Sequence, residues 1–186
     1  MIHVVTPTIP SRAHLLRQCV TSVAEQTVNA SVIHHVMLDD QGVGPAKIRN
    51  TVVGGLQLDD DDWLCFLDDD DLWDAGHLAA LLPHMGGVTD VVFSLARVEG
   101  RPGWDPQLDH FDRQRMIDGP NYLPLCGVAV RAPMFPGFPD DRYEDWGMLR
   151  QLAVDTAAWV CVPERTWSYR FGAWDSRSKQ CWRGER

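Results

Sequence analysis

The amino-acid sequence predicts an α/β fold in which helices flank a mostly parallel central sheet. Short runs of β-branched and aromatic residues alternate with longer segments whose apolar residues recur at helical spacing. Strands that alternate with helices indicate a parallel sheet, because each helix carries the chain back to the edge where the next strand begins. The 186 residues suit one domain, and no repeat or linker divides them, so we expect a single domain over residues 1–186.

The first strand and the first helix are predicted near the start of the sequence. Residues 2–5 are a β-rich run that Thr6-Pro7-Thr8 closes, and Ser11 follows as the expected N-cap of a helix. The apolar residues after this cap have helical spacing; they are Leu15, Leu16, Cys19, Val20 and Val23.

Three further strands and two further helices continue the alternation. The strands are predicted over residues 32–38, 63–67 and 90–95, because each is a short apolar run bounded by polar residues. The helices are predicted over residues 45–58, which Gly54-Gly55 interrupts, and over residues 75–85.

The pattern changes after Val98. Residues 99–124 are rich in glycine, proline, aspartate and arginine and are predicted to form a long loop. A strand over residues 127–131 and a helix over residues 144–154 follow. From Arg165 the chain carries six basic and two acidic residues. This basic tail is expected either to fold over a ligand or to be disordered.

Composition excludes some classes of function. The formal net charge of −9 argues against a general nucleic-acid or membrane-surface binder. No apolar stretch approaches the ~20 residues that span a membrane, and no signal peptide is visible. An odd number of scattered cysteines without a CxxC pair indicates reduced thiols, so we expect a cytoplasmic protein. The five are Cys19, Cys65, Cys126, Cys161 and Cys181.

Two runs of four aspartates flank the strand predicted over residues 63–67. Residues 59–62 precede this strand and are predicted to form a solvated turn. Residues 68–71 follow it, at the sheet edge where open parallel sheets bind ligands. Four carboxylates repel one another unless a cation is present, and Mg²⁺ and Mn²⁺ prefer such oxygen ligands. The second run therefore predicts a divalent-cation site, with a second acidic turn as the alternative.

The second run also carries a resemblance. FLDDDDLW, residues 66–73, resembles the DXD segment of GT-A glycosyltransferases of the family 2 type. Four more motifs resemble that family in the expected order: VVTPTIPSRAHLLRQCVTSVAEQT, MLDD, KIRN and RYEDWGMLRQL. The resemblance covers most of residues 2–154 and implies one GT-A, Rossmann-like domain. Residues 1–98 would bind a nucleotide sugar, and residues 99–186 would form the acceptor and catalytic half with the basic tail.

The resemblance implies a nucleotide-diphosphate sugar donor, most often UDP-linked, and an acceptor hydroxyl on a glycan, protein or small molecule. Asp39 and Asp40 end the second predicted strand, where a carboxylate can accept the N3–H of uracil; an Asx turn is the alternative. Thr6, Pro7 and Thr8 end the first strand beside them, where their backbone can pack against the base or simply turn.

Three further residues are assigned to donor binding. Arg12 and Arg49 are each expected to pair with the pyrophosphate or with the acidic run, and an ordinary surface arginine is the alternative for both. Gly127, next to Cys126, is one of few recognisable positions in the acceptor region.

The DXD motif falls on residues 68–70. The resemblance implies that Asp70 coordinates Mn²⁺ or Mg²⁺ directly, while Asp68 contacts the ribose or a metal-bound water. Asp69 is the variable middle position on the donor side. Several relatives carry a late histidine as a further metal ligand; the segment SYRFGAWDSRS lies at that place without one, so Asp175 or water would substitute.

Glu144-Asp145 corresponds to the family's ED motif. A transfer with inversion needs a base that takes the proton of the attacking hydroxyl. The resemblance places this base on Asp145, with Glu144 as the alternative. The alternative is that both acids only stabilise the N-terminus of the helix through its dipole.

The sequence thus predicts a metal-dependent, inverting glycosyltransferase. A HAD-type phosphatase also carries DxD after a strand, although its motif prefers a small turn where Leu72-Trp73 stands here. A nucleotidyltransferase would need a glycine-rich phosphate loop near residues 6–12, which is not seen. A sugar-nucleotide or divalent-cation binding protein without turnover is the non-catalytic alternative.

Overall fold

The computed structural model describes residues 1–103, 105–155 and 158–172, and these form a mixed α/β domain around one seven-stranded sheet. The predicted fold class is confirmed. The strands are β1 (Ile2–Thr8), β2 (Val32–Leu38), β3 (Trp63–Phe66), β4 (Leu72–Trp73), β5 (Val91–Glu99), β6 (Val128–Arg131) and β7 (Trp159–Arg170). The α-helices are α1 (Ala13–Ala24), α2 (Pro45–Gly54), α3 (His77–Leu81), α4 (Arg113–Asp118) and α5 (Glu144–Asp155).

The sheet is mostly parallel. Its strand order is β2-β1-β3-β6-β5-β7-β4. Strand β1 runs parallel to both β2 and β3, and β5 runs parallel to β7. Strand β6 is antiparallel to its neighbours β3 and β5, and β4 is antiparallel to β7. Five of the seven strands therefore run in one direction, which brings the carboxyl ends of β1, β2 and β3 to one edge.

Strand β7 is the largest difference from the sequence prediction, which placed no strand there. It pairs with β5 from Val91 to Glu99, but the register shifts where Ser94 pairs with Val162 and Leu95 pairs with Arg165. The two extra residues of β7 at this point, Pro163 and Glu164, form an irregularity of the β-bulge type. A second shift follows at once, because Thr166 is extra between the Leu95–Arg165 and Ala96–Trp167 pairs. Because proline and charged residues interrupt the apolar alternation, the sequence pattern does not indicate a strand. Strand β4, only two residues long, was also not predicted.

The helix boundaries differ at several points. A 3₁₀ turn over Pro10–Arg12 precedes α1, so Ser11 is not the N-cap that was predicted. Helix α2 ends at Gly54, before the second glycine of the pair, and α3 is shortened by a 3₁₀ turn. Helix α4 lies within the predicted loop, and Asp112 caps it by accepting a hydrogen bond from the Arg115 N–H at 2.9 Å.

Apolar side chains cover both faces of the sheet. One face packs against α5 through buried residues such as Phe66, Phe93 and Leu149. The other packs against α1 and α3 and includes Leu67 and Trp167. Within the described part of the chain, no helix is both long and apolar enough to cross a membrane.

Gly127, which was assigned to donor binding, is tightly packed and is not one of the described residues that line the cavity reported below. A Cβ at this position would lie 2.4 Å from the Trp167 Nε1 and 2.6 Å from the Ser94 carbonyl oxygen. Trp167 is fully buried, so neither neighbour can withdraw easily.

We therefore expect Gly127→Ala to lower the free energy of unfolding by about 1–3 kcal/mol, the usual cost of overpacking a core. Gly54→Ala is the matched control, because a Cβ there meets no atom within 4 Å. This control should unfold at or slightly above the wild-type urea concentration, since alanine favours helix. Equal urea midpoints for the two variants would show that the packing against Trp167 can accommodate a Cβ at position 127.

Candidate active site

A cavity of about 550 Å³ opens at the carboxyl edge of β1, β2 and β3. Pro7 and Thr8 from β1 and Asp39 from the end of β2 line one side. The second aspartate run, residues 68–71, follows β3 and lines the centre. Glu144 and Asp145, in the first turn of α5, also line this cavity. Because the carboxyl ends of these parallel strands lie at the same edge of the sheet, residues that are far apart in the sequence meet there.

The two aspartate runs lie at opposite ends of β3, as predicted. In the first run, Asp59, Asp60 and Asp61 are exposed, which fits a solvated turn. Asp62 differs, because it is 6% exposed and its carboxylate lies 2.8 Å from the Met1 ammonium. It also accepts the backbone N–H of Asp59 at 2.9 Å. The fourth aspartate of this run therefore stabilises the turn and is not solvated.

Asp69 is the structural anchor of the second run. It is 1% exposed, and its two carboxylate oxygens accept hydrogen bonds from Thr8 Oγ1 at 2.6 Å and from Nη1 of the Arg12 guanidinium at 2.8 Å. Burial raises the pKa of Asp69, although these two hydrogen bonds oppose the shift. The middle position of the DXD motif thus ties β3 to β1 and to the start of α1.

The surroundings of Asp70 and Asp71 disfavour the ionised form of both carboxyl groups. Burial raises the pKa of Asp70 to about 6, and the nearby Asp68 carboxylate adds to this shift. Burial also raises the pKa of Asp71 well above its usual range. The Asp71 carboxylate accepts the backbone N–H of Arg170 on β7 at 2.9 Å. A divalent cation would relieve the repulsion among these carboxylates.

Arg49 links the acidic run to the pair on α5. Its side chain is 3% exposed, donates a hydrogen bond to Asp68 and lies 3.5 Å from a Glu144 oxygen. Its guanidinium also lies over the Phe138 ring, 5.1 Å from the centroid. Arg12 similarly contacts Asp69, and it lies 3.5 Å from Asp70. Both arginines therefore pair with carboxylates, the second of the two roles predicted for them.

Removal of Arg49 should destabilise the protein, because it leaves the Asp68 and Glu144 carboxylates without their shared cation. We expect Arg49→Met to lower the free energy of unfolding by roughly 3 kcal/mol, the lower end for a broken buried pair, since Asp68 is partly exposed. Lys47→Met, on the same helix, breaks an exposed ion pair with Asp140 and should cost less than about 1 kcal/mol. Urea titration of both variants measures the difference, and equal losses would contradict the bridging role.

Burial affects the acidity of the Glu144 and Asp145 carboxyl groups. Asp145 accepts the Trp146 backbone N–H at 2.7 Å and lies 3.4 Å from the Asn121 amide nitrogen. Burial raises the pKa of Asp145 and also that of Glu144, although Arg49 opposes both shifts. A carboxylate with a raised pKa is a stronger base once it is ionised. The arrangement is therefore suited to taking a proton from a hydroxyl in the cavity.

Two of the residues predicted to bind the donor lie elsewhere. Thr6 is fully buried, and its hydroxyl lies 2.8 Å from His34 Nε2, below the cavity. Asp40 is exposed and is not one of the described residues that line the cavity. Asp39 does line it, but its carboxylate also accepts the N–H groups of Val43 and Gly44, each at 2.8 Å. Asp39 therefore both forms the turn that was the alternative prediction and lies in the cavity, where the resemblance implies a contact with the base.

The second half of the chain supplies lining residues that sequence reasoning did not assign. They include Arg142, Tyr143, Tyr122 and Tyr169. The signal for Tyr169 was its alternation with Trp167, which is recognisable only once β7 is known to be a strand. Asp175, the predicted substitute for a metal-binding histidine, lies outside the described residues, as does the tail beyond residue 172.

The side chains of Asp68, Asp71 and Cys126 form a group that could hold a metal ion. Each offers one ligand atom, and these atoms all lie within 4.8 Å of one another. Two carboxylates and a sulfur are chemically suitable for a divalent cation. Asp70, the ligand implied by the resemblance, is not in this group; its carboxylate faces Arg12, and its metal role stays a prediction.

Comparison with known proteins assigns the fold. No family model and no curated protein matches the sequence. Among solved structures, S. aureus TarS 1–349 in complex with UDP-GlcNAc superposes with a TM-score of 0.73 at 14% identity, over 95% of this chain and 60% of that one. The chain has the GT-A fold.

Other GT-A structures agree. Glucosyl-3-phosphoglycerate synthase from Mycobacterium tuberculosis, in complex with Mn²⁺, UDP and phosphoglyceric acid, matches with a TM-score of 0.57 at 16% identity, over 97% of this chain and 73% of that one. At such identities the similarity shows the GT-A fold alone. The present chain spans 60% of the TarS 1–349 structures.

Proposed function

We propose that this protein is a metal-dependent, inverting glycosyltransferase that moves a sugar from a UDP-sugar to an acceptor hydroxyl. One observation carries the proposal. The acidic run after β3 and the Glu144-Asp145 pair on α5 line one cavity of about 550 Å³ at the carboxyl edge of the sheet. A cation site and a base in one pocket are the two features that such a transfer requires.

The donor would lie along the carboxyl edge. Pro7 and Asp39 would contact the base, and Asp68 would contact the ribose or a metal-bound water, since all three line the cavity. UDP is favoured because structures with the same fold were solved with UDP-GlcNAc or with UDP. The sugar and the acceptor, which is a glycan, protein or small molecule, stay open.

Mn²⁺ or Mg²⁺ is the proposed cofactor. Asp70 and Asp68 are the ligands that the DXD resemblance implies, and Asp175 is the implied substitute for the late histidine. A bound cation would offset the charge of the diphosphate as it leaves, so that no general acid is needed. Burial raises the pKa of Asp70, and the nearby Asp68 carboxylate adds to the shift; this fits such a site, because a bound cation favours the ionised carboxylate.

Asp145 is the proposed base. The acceptor oxygen forms a bond to the anomeric carbon from the side opposite the diphosphate, the bond to the diphosphate oxygen breaks, and the hydroxyl proton passes to Asp145. Glu144 is the alternative base, but its contact with Arg49 suits it better to positioning. Attack from the opposite side inverts the anomeric configuration.

The GT-A fold argues against the HAD-type phosphatase alternative, whereas a sugar-nucleotide binder without turnover has the same fold and the same cavity.

Free buried thiols at Cys19, Cys65 and Cys126 support the proposed cytoplasmic location.

Sugar-nucleotide turnover tests the proposal. The protein is incubated with UDP-glucose or UDP-GlcNAc, with Mn²⁺ or with EDTA, and proton NMR records UDP release and the anomer of the free sugar before mutarotation. We expect slow, Mn²⁺-dependent hydrolysis that yields the β-anomer from an α-linked donor. Release of the α-anomer would contradict inversion. UDP binding without any turnover, with or without a panel of sugar acceptors, would favour the binding protein.

A further inference from the structure

A sulfur atom lies among the carboxylates of the cavity. Cys126 belongs to a 3₁₀ turn just before β6, and the backbone N–H of Asp68 donates a hydrogen bond to its Sγ at 3.3 Å. The ligand atoms of Cys126, Asp68 and Asp71 all lie within 4.8 Å of one another. Ligands that share one metal ion are separated by at most about twice a metal–ligand bond of roughly 2.0–2.3 Å. The three atoms are close to that arrangement without any movement of the backbone.

Two members of this group are buried without a cationic partner. Asp71 is 2% exposed and Cys126 is 3% exposed. Within the part of the chain that the structure describes, no basic side chain reaches ion-pair distance of the Asp71 carboxylate. The nearby Arg170 guanidinium instead donates to the Asp70 carbonyl oxygen and to Gln18. A buried carboxylate without a cation is costly, and a metal ion would supply the missing charge.

We propose that Cys126 is a ligand of the divalent cation in this cavity, together with Asp68 and Asp71. The inference rests on the proposed metal-dependent function and adds to it a preference among metals. Carboxylates suit Mg²⁺ and Mn²⁺, whereas a thiolate favours softer cations such as Zn²⁺ or Cd²⁺. A site with one sulfur ligand should therefore bind Cd²⁺, Zn²⁺ and, to a smaller extent, Mn²⁺ in preference to Mg²⁺.

Binding through sulfur requires the loss of one proton. The Sγ–H bond of Cys126 breaks as the sulfur–metal bond forms, and the proton passes to the solvent buffer. Asp68 is 39% exposed at its side chain and lines the cavity, so a cation can enter from the solvent side. The competing account is a buried thiol that only hydrogen-bonds to its neighbours. The two accounts differ in whether sulfur contacts the metal.

Cadmium binding distinguishes the two accounts, with UDP present throughout. We expect Cd²⁺ to produce an ultraviolet sulfur-to-metal charge-transfer band that saturates at one equivalent. Cys126→Ser should lose this band and bind Cd²⁺ about 10–100-fold more weakly, while its Mg²⁺ affinity changes little. Cys161→Ser is the matched control, because Cys161 is a half-buried free thiol on β7; it should keep the band.

A second measurement covers the case in which Cys126→Ser does not fold. The ¹¹³Cd NMR shift of the wild-type protein with UDP reports sulfur ligation without any substitution. A shift typical of oxygen ligands alone, or a band that persists in Cys126→Ser, would overturn the proposal. Such a result with intact Mn²⁺-dependent UDP binding would leave the proposed function standing. Absence of any metal-dependent UDP binding would instead overturn the proposed function.

Discussion

Asp145→Asn should bind UDP and Mn²⁺ like the wild-type protein, yet hydrolyse the sugar nucleotide about 10²–10⁴-fold more slowly, the usual contribution of a positioned base. Asparagine keeps the size of the side chain, and its oxygen can still accept the Trp146 N–H, so the start of α5 should be preserved. It cannot accept the proton of the attacking hydroxyl. The loss should appear in turnover more than in affinity, because the proton is transferred only in the transition state.

Two comparisons make the Asp145 result specific. Glu144→Gln should reduce turnover less, because its main contact is with Arg49. Asp140→Asn removes a carboxylate that is 75% exposed and paired with Lys47, and it should behave like the wild-type protein. Thermal melts establish that each variant is folded. A folded Asp145→Asn variant with wild-type hydrolysis would remove Asp145 from the mechanism and transfer the base role to Glu144.

Asp70→Ala should abolish the Mn²⁺-dependent part of UDP binding. Loss of a metal bridge between the protein and the diphosphate should cost several kcal/mol, a change of at least about 100-fold in affinity. The fold should survive, because Arg12 keeps its 2.8 Å contact with Asp69.

The first aspartate run provides the matched control for Asp70. Asp59, Asp60 and Asp61, changed together to serine, remove three carboxylates at the other end of β3 and leave the buried Asp62 in place. Charges that lie well beyond ~8 Å are screened at physiological salt, so this variant should bind UDP nearly as well as the wild-type protein. Equal losses in the two variants, measured by calorimetry, would contradict the separate roles of the two runs.

Much of the fold could be predicted because its first half follows simple patterns. Strands β1, β2 and β3 and helices α1 and α2 appear as apolar runs and helical spacing, and their order implies parallel pairing. This pairing in turn predicts that residues after β1, β2 and β3 meet at one edge. Thr8, Asp39 and the second aspartate run do so.

The remaining features depend on contacts that no local pattern reveals. Strand β7 is interrupted by a bulge at Pro163-Glu164, so the contact of Trp167 with Gly127 and the position of Tyr169 in the cavity could not be foreseen. Thr6 lies two residues before the end of β1, and its hydroxyl points to Cys19 of α1 and to His34, away from the ligand side. The convergence of Cys126 with the acidic run likewise follows from the tertiary fold.

The central claim is that the acidic run after β3 holds a cation that binds a nucleotide diphosphate. Calorimetric titration of UDP, once with Mn²⁺ and once with EDTA, tests this claim most directly. We expect tight binding with Mn²⁺ and a loss of several kcal/mol with EDTA, because the carboxylates of residues 68–71 repel the diphosphate when no cation lies between them. Equal affinity in the two conditions would contradict the claim, and so would the absence of UDP binding in both.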